Sequence, residues 1–290
     1  MARLKKKLTT NVSGNFFVDS TCINCDTCRQ LAPLSFKEVG DASAVVRQPD
    51  GDRQSDQAYQ ALLACPVGSI GTQHSDKALL NAARASFPIR LDDGIYYCGF
   101  NSEKSFGANS FFIEHSDGNW LVDSPRYLKQ LFEFLDGKGG VRYVFLTHED
   151  DVADADKYAR HFGAKRIIHR EDAEAVPDAE WIVDGSESVP LAPDFVAIPV
   201  PGHTPGSMAL LYCEKFLFTG DHLWWDAETH TLESPRQLVW SASHLMASIE
   251  KLTAYRFEWV LAGHGDRIKL PHSDMTSKLQ DLARRRLAKV

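Results

Sequence analysis

The chain has 290 residues with 43% hydrophobic and 24% charged content, enough apolar material for one large domain and a small one. Its formal net charge of -7 excludes a general nucleic-acid binder, which needs a basic surface to neutralise phosphates; small molecules or proteins are the expected partners. Met1 to Asn11 carries Lys5, Lys6 and Lys7 but no secretory apolar run, and no later segment reaches membrane-span length, so a cytoplasmic protein without membrane contact is expected.

Cys22, Cys25 and Cys28 form C-x-x-C-x-x-C, a spacing that lets three thiolates wrap one 4Fe-4S cubane while free backbone N–H groups point at its sulfurs. Cys65, followed by Pro66, supplies a fourth thiolate. The stretch before it, Phe36 to Ala64, predicts a β-hairpin around Asp50-Gly51 and then a helix, which the proline ends. A structural zinc ion on the same four cysteines and a pair of disulfides are the alternatives. Zinc sites ordinarily pair two C-x-x-C knuckles, and disulfides need an oxidising compartment. Cys98 and Cys213 end apolar runs, where buried, inert thiols are expected.

These residues, with Val67 to Ile70 after Cys65-Pro66, resemble a bacterial-type single-cluster ferredoxin. The two-cluster form has a further cysteine where this chain has Ala32. The resemblance therefore implies one 4Fe-4S cluster, on Cys22, Cys25, Cys28 and Cys65. A module this small has little core, so the cluster is expected to hold it together.

Helical spacing from Ser75 to Ala85 ends at Phe87-Pro88, which divides the chain into a first domain, residues 1–80, and a second, residues 88–290. Ile89 to Phe100, Ser110 to His115 and Asn119 to Asp123 predict strands, and Pro125 to Asp136 a helix with proline in its first turn. Val141 to Leu146 predicts a strand that delivers Thr147-His148 at its C-terminal end, a frequent place for ligands in α/β sheets. Helices are predicted near Ser241 to Tyr255 and Ser273 to Lys289.

Four polar groups follow apolar runs: His148 with Asp150, His203 within Pro201 to Ser207 (P-G-H-T-P-G-S), Asp221 after Thr219-Gly220, and His264 between Gly263 and Gly265. Glycine and proline beside them let backbone crowd a common centre. In this order the motifs, with Leu121 to Ser124 as an early strand and turn, resemble the metallo-β-lactamase fold superfamily from Ile89 to His264. The implied fold is α/β of the α+β kind: an αββα sandwich of two mixed sheets with a metal site along one edge, joined to the ferredoxin-like module.

The family signature T-H-x-H-x-D-H is here Thr147-His148-Glu149-Asp150-Asp151-Val152-Ala153. The resemblance then implies one metal position on His148, Asp150 and His203 with a shared Asp221, while the other keeps only His264 and Asp221. A second ion is doubtful. The set suits one zinc or iron ion. The aspartate lost at Val152 is the family's means of orienting the attacking water, which leaves Asp150, Asp151, Asp154 and His222 as candidates for proton transfer. Acids after a strand also open helices without any chemistry, and His222 has Asp221 as its neighbour on a strand, where side chains alternate. Flavodiiron-type reductases share the fold but need the ligands lost here. The expected function is a metal-dependent hydrolase of a small molecule with redox input from the cluster. The rival is an electron-transfer protein or redox partner whose second domain is a non-hydrolytic scaffold.

Overall fold

A computed structural model of the protein describes residues 2–287. The N-terminal part pairs β1 (Phe16–Val18) antiparallel with β4 (Ile70–Thr72), and between them lie α1 (Thr27–Leu31), the hairpin β2 (Phe36–Val39) and β3 (Ala42–Val45), and α2 (Gly51–Ala64). The hairpin turns at Gly40-Asp41, with Gly40 at φ +67°, and not at Asp50-Gly51. That dipeptide opens α2 instead. Both dipeptides carry turn chemistry, and only the first separates two runs whose inner residues, Phe36 and Val45, are buried. Helix α3 (Lys77–Ala85) starts where the Asp76 carboxylate accepts the N–H groups of Ala78 and Leu79.

The rest of the chain forms two sheets. The first holds β5 (Ile89–Asp92), β6 (Ile95–Tyr97), β7 (Phe111–Ile113), β8 (Trp120–Val122), β9 (Tyr143–Phe145), β10 (Lys165–His169) and β11 (Trp181–Val183), adjacent in chain order, with helices α4 (Lys129–Gly137) and α5 (Ala155–Phe162) between its later strands. The second orders β12 (Val189–Ala192), β13 (Phe195–Pro199), β14 (Met208–Tyr212), β15 (Phe216–Gly220), β18 (Trp259–Ala262) and β19 (Ile268–Lys269). The small hairpin β16 (Trp224–Asp226) and β17 (Thr231–Glu233), then α6 (Ala242–Leu252), lie between β15 and β18, and α7 (His272–Leu287) ends the described chain. Both sheets mix parallel and antiparallel pairs.

The sheets meet face to face: Trp120 stacks on Phe195 at 4.1 Å between ring centroids, and Phe111 meets Phe218 at 5.5 Å. On the second sheet's outer face Ile198, Leu211, Leu217 and Val260 pack with Leu245, Ile249 and Leu279 of α6 and α7. This is an αββα sandwich. At its edge Asp92 of β5 accepts hydrogen bonds from Lys215, Lys269 and Trp259 Nε1 of the other sheet.

Two expected elements are shorter than their patterns. Ile89 to Phe100 is two strands, broken at Asp93-Gly94. The helix expected from Pro125 begins only at Lys129: Leu128 before it is extended (φ −125°, ψ 139°), and the N–H of Arg126 goes to Phe100 O and that of Tyr127 to Asp154. Cys98 is buried as expected, but Cys213 is exposed, in a turn with positive φ just past β14. Residues 288–290, which include the end of the last predicted helix, lie outside the described residues. Among the described residues no helix is long and apolar enough to cross a membrane.

Candidate metal and cluster sites

Loops at the strand ends of both sheets bring His148, His203 and Asp221 together, with one ligand atom of each within 4.8 Å of the others. Strand β9 delivers His148, whose Nδ1 lies 3.0 Å from Thr147 Oγ1, while that hydroxyl donates to Asp123. His203 Nδ1 is 2.6 Å from the Leu238 carbonyl. A carbonyl only accepts, so Nδ1 carries the proton and the Nε2 lone pair is left free. Asp172, fully buried, accepts from Glu149 N, Thr204 Oγ1 and Gly206 N and so braces both histidine loops at once.

The inward atoms fit a cation. His148 Nε2 and His203 Nε2 are buried and have no hydrogen-bond partner, and neither has Asp221 Oδ1 on the Gly263 side of that carboxylate, which is costly unless something pairs with them. Asp221 Oδ2 is 3.8 Å from each Nε2, and Asp150 Oδ2 is 3.3 Å from that of His203 and 3.8 Å from that of His148. Bonds of about 2.0–2.1 Å at tetrahedral angles put neighbouring donors roughly 3.3 Å apart. His264 Nε2 lies 3.9 Å from Asp221 Oδ2, which leaves Asp221 between the histidine pair and His264. Val152 and Ala153 line the same cleft and offer no side-chain donor. Gly263 permits the approach: a Cβ there would sit 2.7 Å from Asp221 Oδ1 and 3.1 Å from Asp151 Oδ2.

The electrostatics point the same way. Burial pushes the Asp123 carboxyl up to about 8 against the hydrogen bonds from Thr147, and burial with the neighbouring Asp221 and Asp123 lifts Asp151 well above the usual range. Burial also resists protonation of His148, with Asp221 opposing it. At His203 burial is outweighed by Asp150 and Asp221, which raise it, and the same contact holds Asp150 below its ordinary value. Crowded carboxylates beside unpaired imidazoles are what a bound cation would stabilise.

Two of the candidates for proton transfer stand apart. His222 is 1% exposed and outside the cleft lining, and burial pushes it down to about 3. Its N–H donates to Thr219 O, and both of its ring nitrogens are buried without a hydrogen-bond partner. Asp154 accepts from Lys104 and from the Tyr127 N–H, which occupies its carboxylate structurally. Asp150 is exposed in the cleft, whereas Asp151 is buried with one oxygen unpaired.

In the N-terminal part Cys22, Cys25, Cys28 and Cys65 line one cavity with Val18, Ile23, Val67 and Ile70. All six cysteines are free thiols. Positive φ at Asn24 and Asp26 curls the loop. Cys22 Sγ accepts from the N–H of Asn24 and Ser43, each at 3.4 Å, and Cys65 Sγ from that of Ser69 at 3.3 Å, bonds that suit thiolates on a cluster. Burial pushes the Cys25 thiol up to about 12 and Cys28 higher still.

Sequence patterns did not foresee where this loop lies. Asn24, Cys25, Asp26 and Arg29 wall a cleft of about 1120 Å³ that Asp150, His203, Asp221 and His264 line from the other side. Gly107, at φ +90°, lets the second part close in, since a Cβ there would be 2.9 Å from Cys25 Sγ. Asp172 was missed as well, and no motif marks it.

Two facing sheets with imidazoles and a carboxylate converging at their edge define a metal-binding αββα sandwich, here built against a four-thiol cage. Residues 89–285 match the metallo-β-lactamase superfamily, and the chain belongs to that superfamily. Residues 18–72 match the 4Fe-4S single cluster domain of ferredoxin I. The two matches suggest a 4Fe-4S cluster and a metal ion. A curated relative, hydroxyacylglutathione hydrolase from Acidiphilium cryptum (strain JF-5), is 27% identical over 160 residues, 53% of this chain and 63% of that protein, so the match spans less than two thirds of the relative. Among solved structures, a metallo-β-lactamase from Hirschia baltica has a TM-score of 0.52 at 14% identity, over 67% of this chain and 96% of that one. The metallo-β-lactamase FIM-1 from Pseudomonas aeruginosa, in its mono-zinc form, has 0.51 at 16% identity, over 68% and 93%. These likenesses carry the fold.

Proposed function

We propose that the chain is a metal-dependent hydrolase of a small molecule, with one zinc or iron ion on His148, His203, Asp221 and Asp150, and one 4Fe-4S cluster on Cys22, Cys25, Cys28 and Cys65. Residues 1–80 and 88–290 are the two domains of this reading. The observation that carries it is the convergence of two buried, unpaired imidazole nitrogens on an unpaired carboxylate. A divalent ion there supplies Lewis acidity and acidifies a water molecule. Leu238 O and Thr147 Oγ1 fix the imidazoles with Nε2 inward. Asp150 is the donor of the set that opens to the cleft, and Asp151 is buried beside Asp221. The name of the curated relative makes an acyl thioester the first substrate class to try.

The test is metal analysis with a thioester, lactone and phosphodiester panel on purified protein. About one ion per chain beyond the cluster iron, with hydrolysis abolished in His148→Ala and His203→Ala, supports the reading; no metal beyond the cluster iron sinks it. A second reading, a redox partner whose sandwich is a scaffold, is favoured by Val152 and Ala153 in the cleft and by the cluster loop on its wall. Reversible cluster titration without hydrolysis of any panel member, after zinc or iron loading, selects it.

A further inference from the structure

The turn Gly263-His264-Gly265 is held from both ends by the cluster loop. Asp26, next to the cluster ligand Cys25, accepts the Gly265 N–H at 2.7 Å through Oδ2. Its Oδ1 accepts from Gln30 Nε2 at 2.7 Å, and Gln30 Oε1 accepts from Asn109 Nδ2 at 3.0 Å. Asn109 in turn donates through its side chain to Ala262 O and through its backbone N–H to Gly263 O. One carboxylate thus grips the residue after His264 directly and the two residues before it through a relay. Cys25 Sγ packs against Gly107, and Thr27 Oγ1 donates to Gly107 O, which fixes the loop on the sandwich.

We propose that Asp26 is a positioning residue that joins the two metal sites into one coupled unit: it sets His264 against Asp221 and holds the Cys25 side of the cluster against the metal cleft. This rests on the metal centre proposed above. Because the sites share one rigid wall, a charge added to the cluster is felt at the ion, and the ion at the cluster. Linkage makes the effect reciprocal: the factor by which reduction tightens divalent-ion binding is the factor by which the ion favours reduction. At an effective dielectric constant of about 20, two unit charges about 12 Å apart interact on the order of tenfold, which is about 59 mV for a one-electron couple. The chemistry needs one electron from dithionite into the cluster and none from Zn2+.

The experiment is a dithionite titration of the cluster in the intact protein with and without Zn2+, zinc being counted by metal analysis on the same sample. Zinc should raise the midpoint potential by about tenfold in equilibrium terms. Asp26→Asn, which keeps an oxygen for the Gly265 N–H but turns an NH2 toward Gln30 Nε2 and so loses the relay, should fall between the unaltered protein and Asp26→Ala, which should reduce the shift to threefold or less. If Asp26→Ala does not keep its cluster, Asp26→Ser, too short to reach the amide, takes its place. Zinc bound one per chain with less than a twofold effect on the cluster overturns the inference while leaving the metal centre intact. A full shift in Asp26→Ala overturns the role of Asp26, and failure to bind zinc at all counts against the metal centre itself.

Discussion

Asp154 offers a quantitative test of the contacts around the cleft. Its side chain is 9% exposed and sits 2.8 Å from Lys104 Nζ and 3.1 Å from Lys157 Nζ, with Tyr127 N–H donating to its other oxygen. Burial works against the charged form, but the two ammonium groups and the amide overturn it and hold the carboxyl at about 2 instead of 3.8. A group depressed in this way adds stability above its unfolded value and loses it only as pH falls through the folded one. The fall is worth about 2.5 kcal/mol at pH 7, and the side chain is too buried for solvent to screen most of it. Asp154→Asn should therefore lower urea stability by up to about 2.5 kcal/mol at pH 7, or the melting midpoint by about 5 °C. At pH 4, still above the folded value, the penalty should have shrunk by only about 0.3 kcal/mol. Cluster absorbance and metal content should be unchanged. A penalty below about 0.5 kcal/mol at pH 7, or one already halved at pH 4, would refute the account, as would loss of bound metal.

Asp172→Asn weakens two histidine loops without removing a ligand and should lower metal affinity by about 10- to 100-fold, measured by competition with a chelator, with the cluster spectrum intact. Phe195→Ala removes a ring stacked on Trp120 and Tyr212 and should cost about 3–5 kcal/mol in urea unfolding. In the native, cluster-loaded protein Cys213 should react with iodoacetamide while Cys98, fully buried and pushed up to about 12 by that burial, stays unmodified until unfolding, as peptide mapping would show.

What could be read from the sequence was local. The thiolate spacing, the fold of the second part and the loops carrying His148, His203, Asp221 and His264 each rest on a few consecutive residues whose chemistry is legible without neighbours. The misplaced hairpin shows the limit even there: Gly40-Asp41 and Asp50-Gly51 both suit a turn, and only the burial of Phe36 against its partner Val45 decides between them. Pro125 suited a helix start, yet the chain is still extended at Leu128, with the Arg126 and Tyr127 amides held by tertiary acceptors. Cys213 ends an apolar strand, but the chain turns outward one residue earlier. Asp26 and Gly265 are 239 residues apart, and Asp172 is an ordinary acid in an ordinary 3-10 turn; no periodicity or spacing links either to the ligands they support. Cys25, by contrast, was identified as a cluster ligand with no hint that it also borders the cleft.

The close approach of Gly107 to Cys25 bears on protein engineering. A sandwich expressed without residues 1–80 would not be the same protein minus an accessory: it would present a wider mouth, an uncapped Gly265 amide and an unsupported His264 turn. Swapping in another ferredoxin would fail in the same way unless the donor loop carried an acid directly after its second cysteine. The unit of design is the pair.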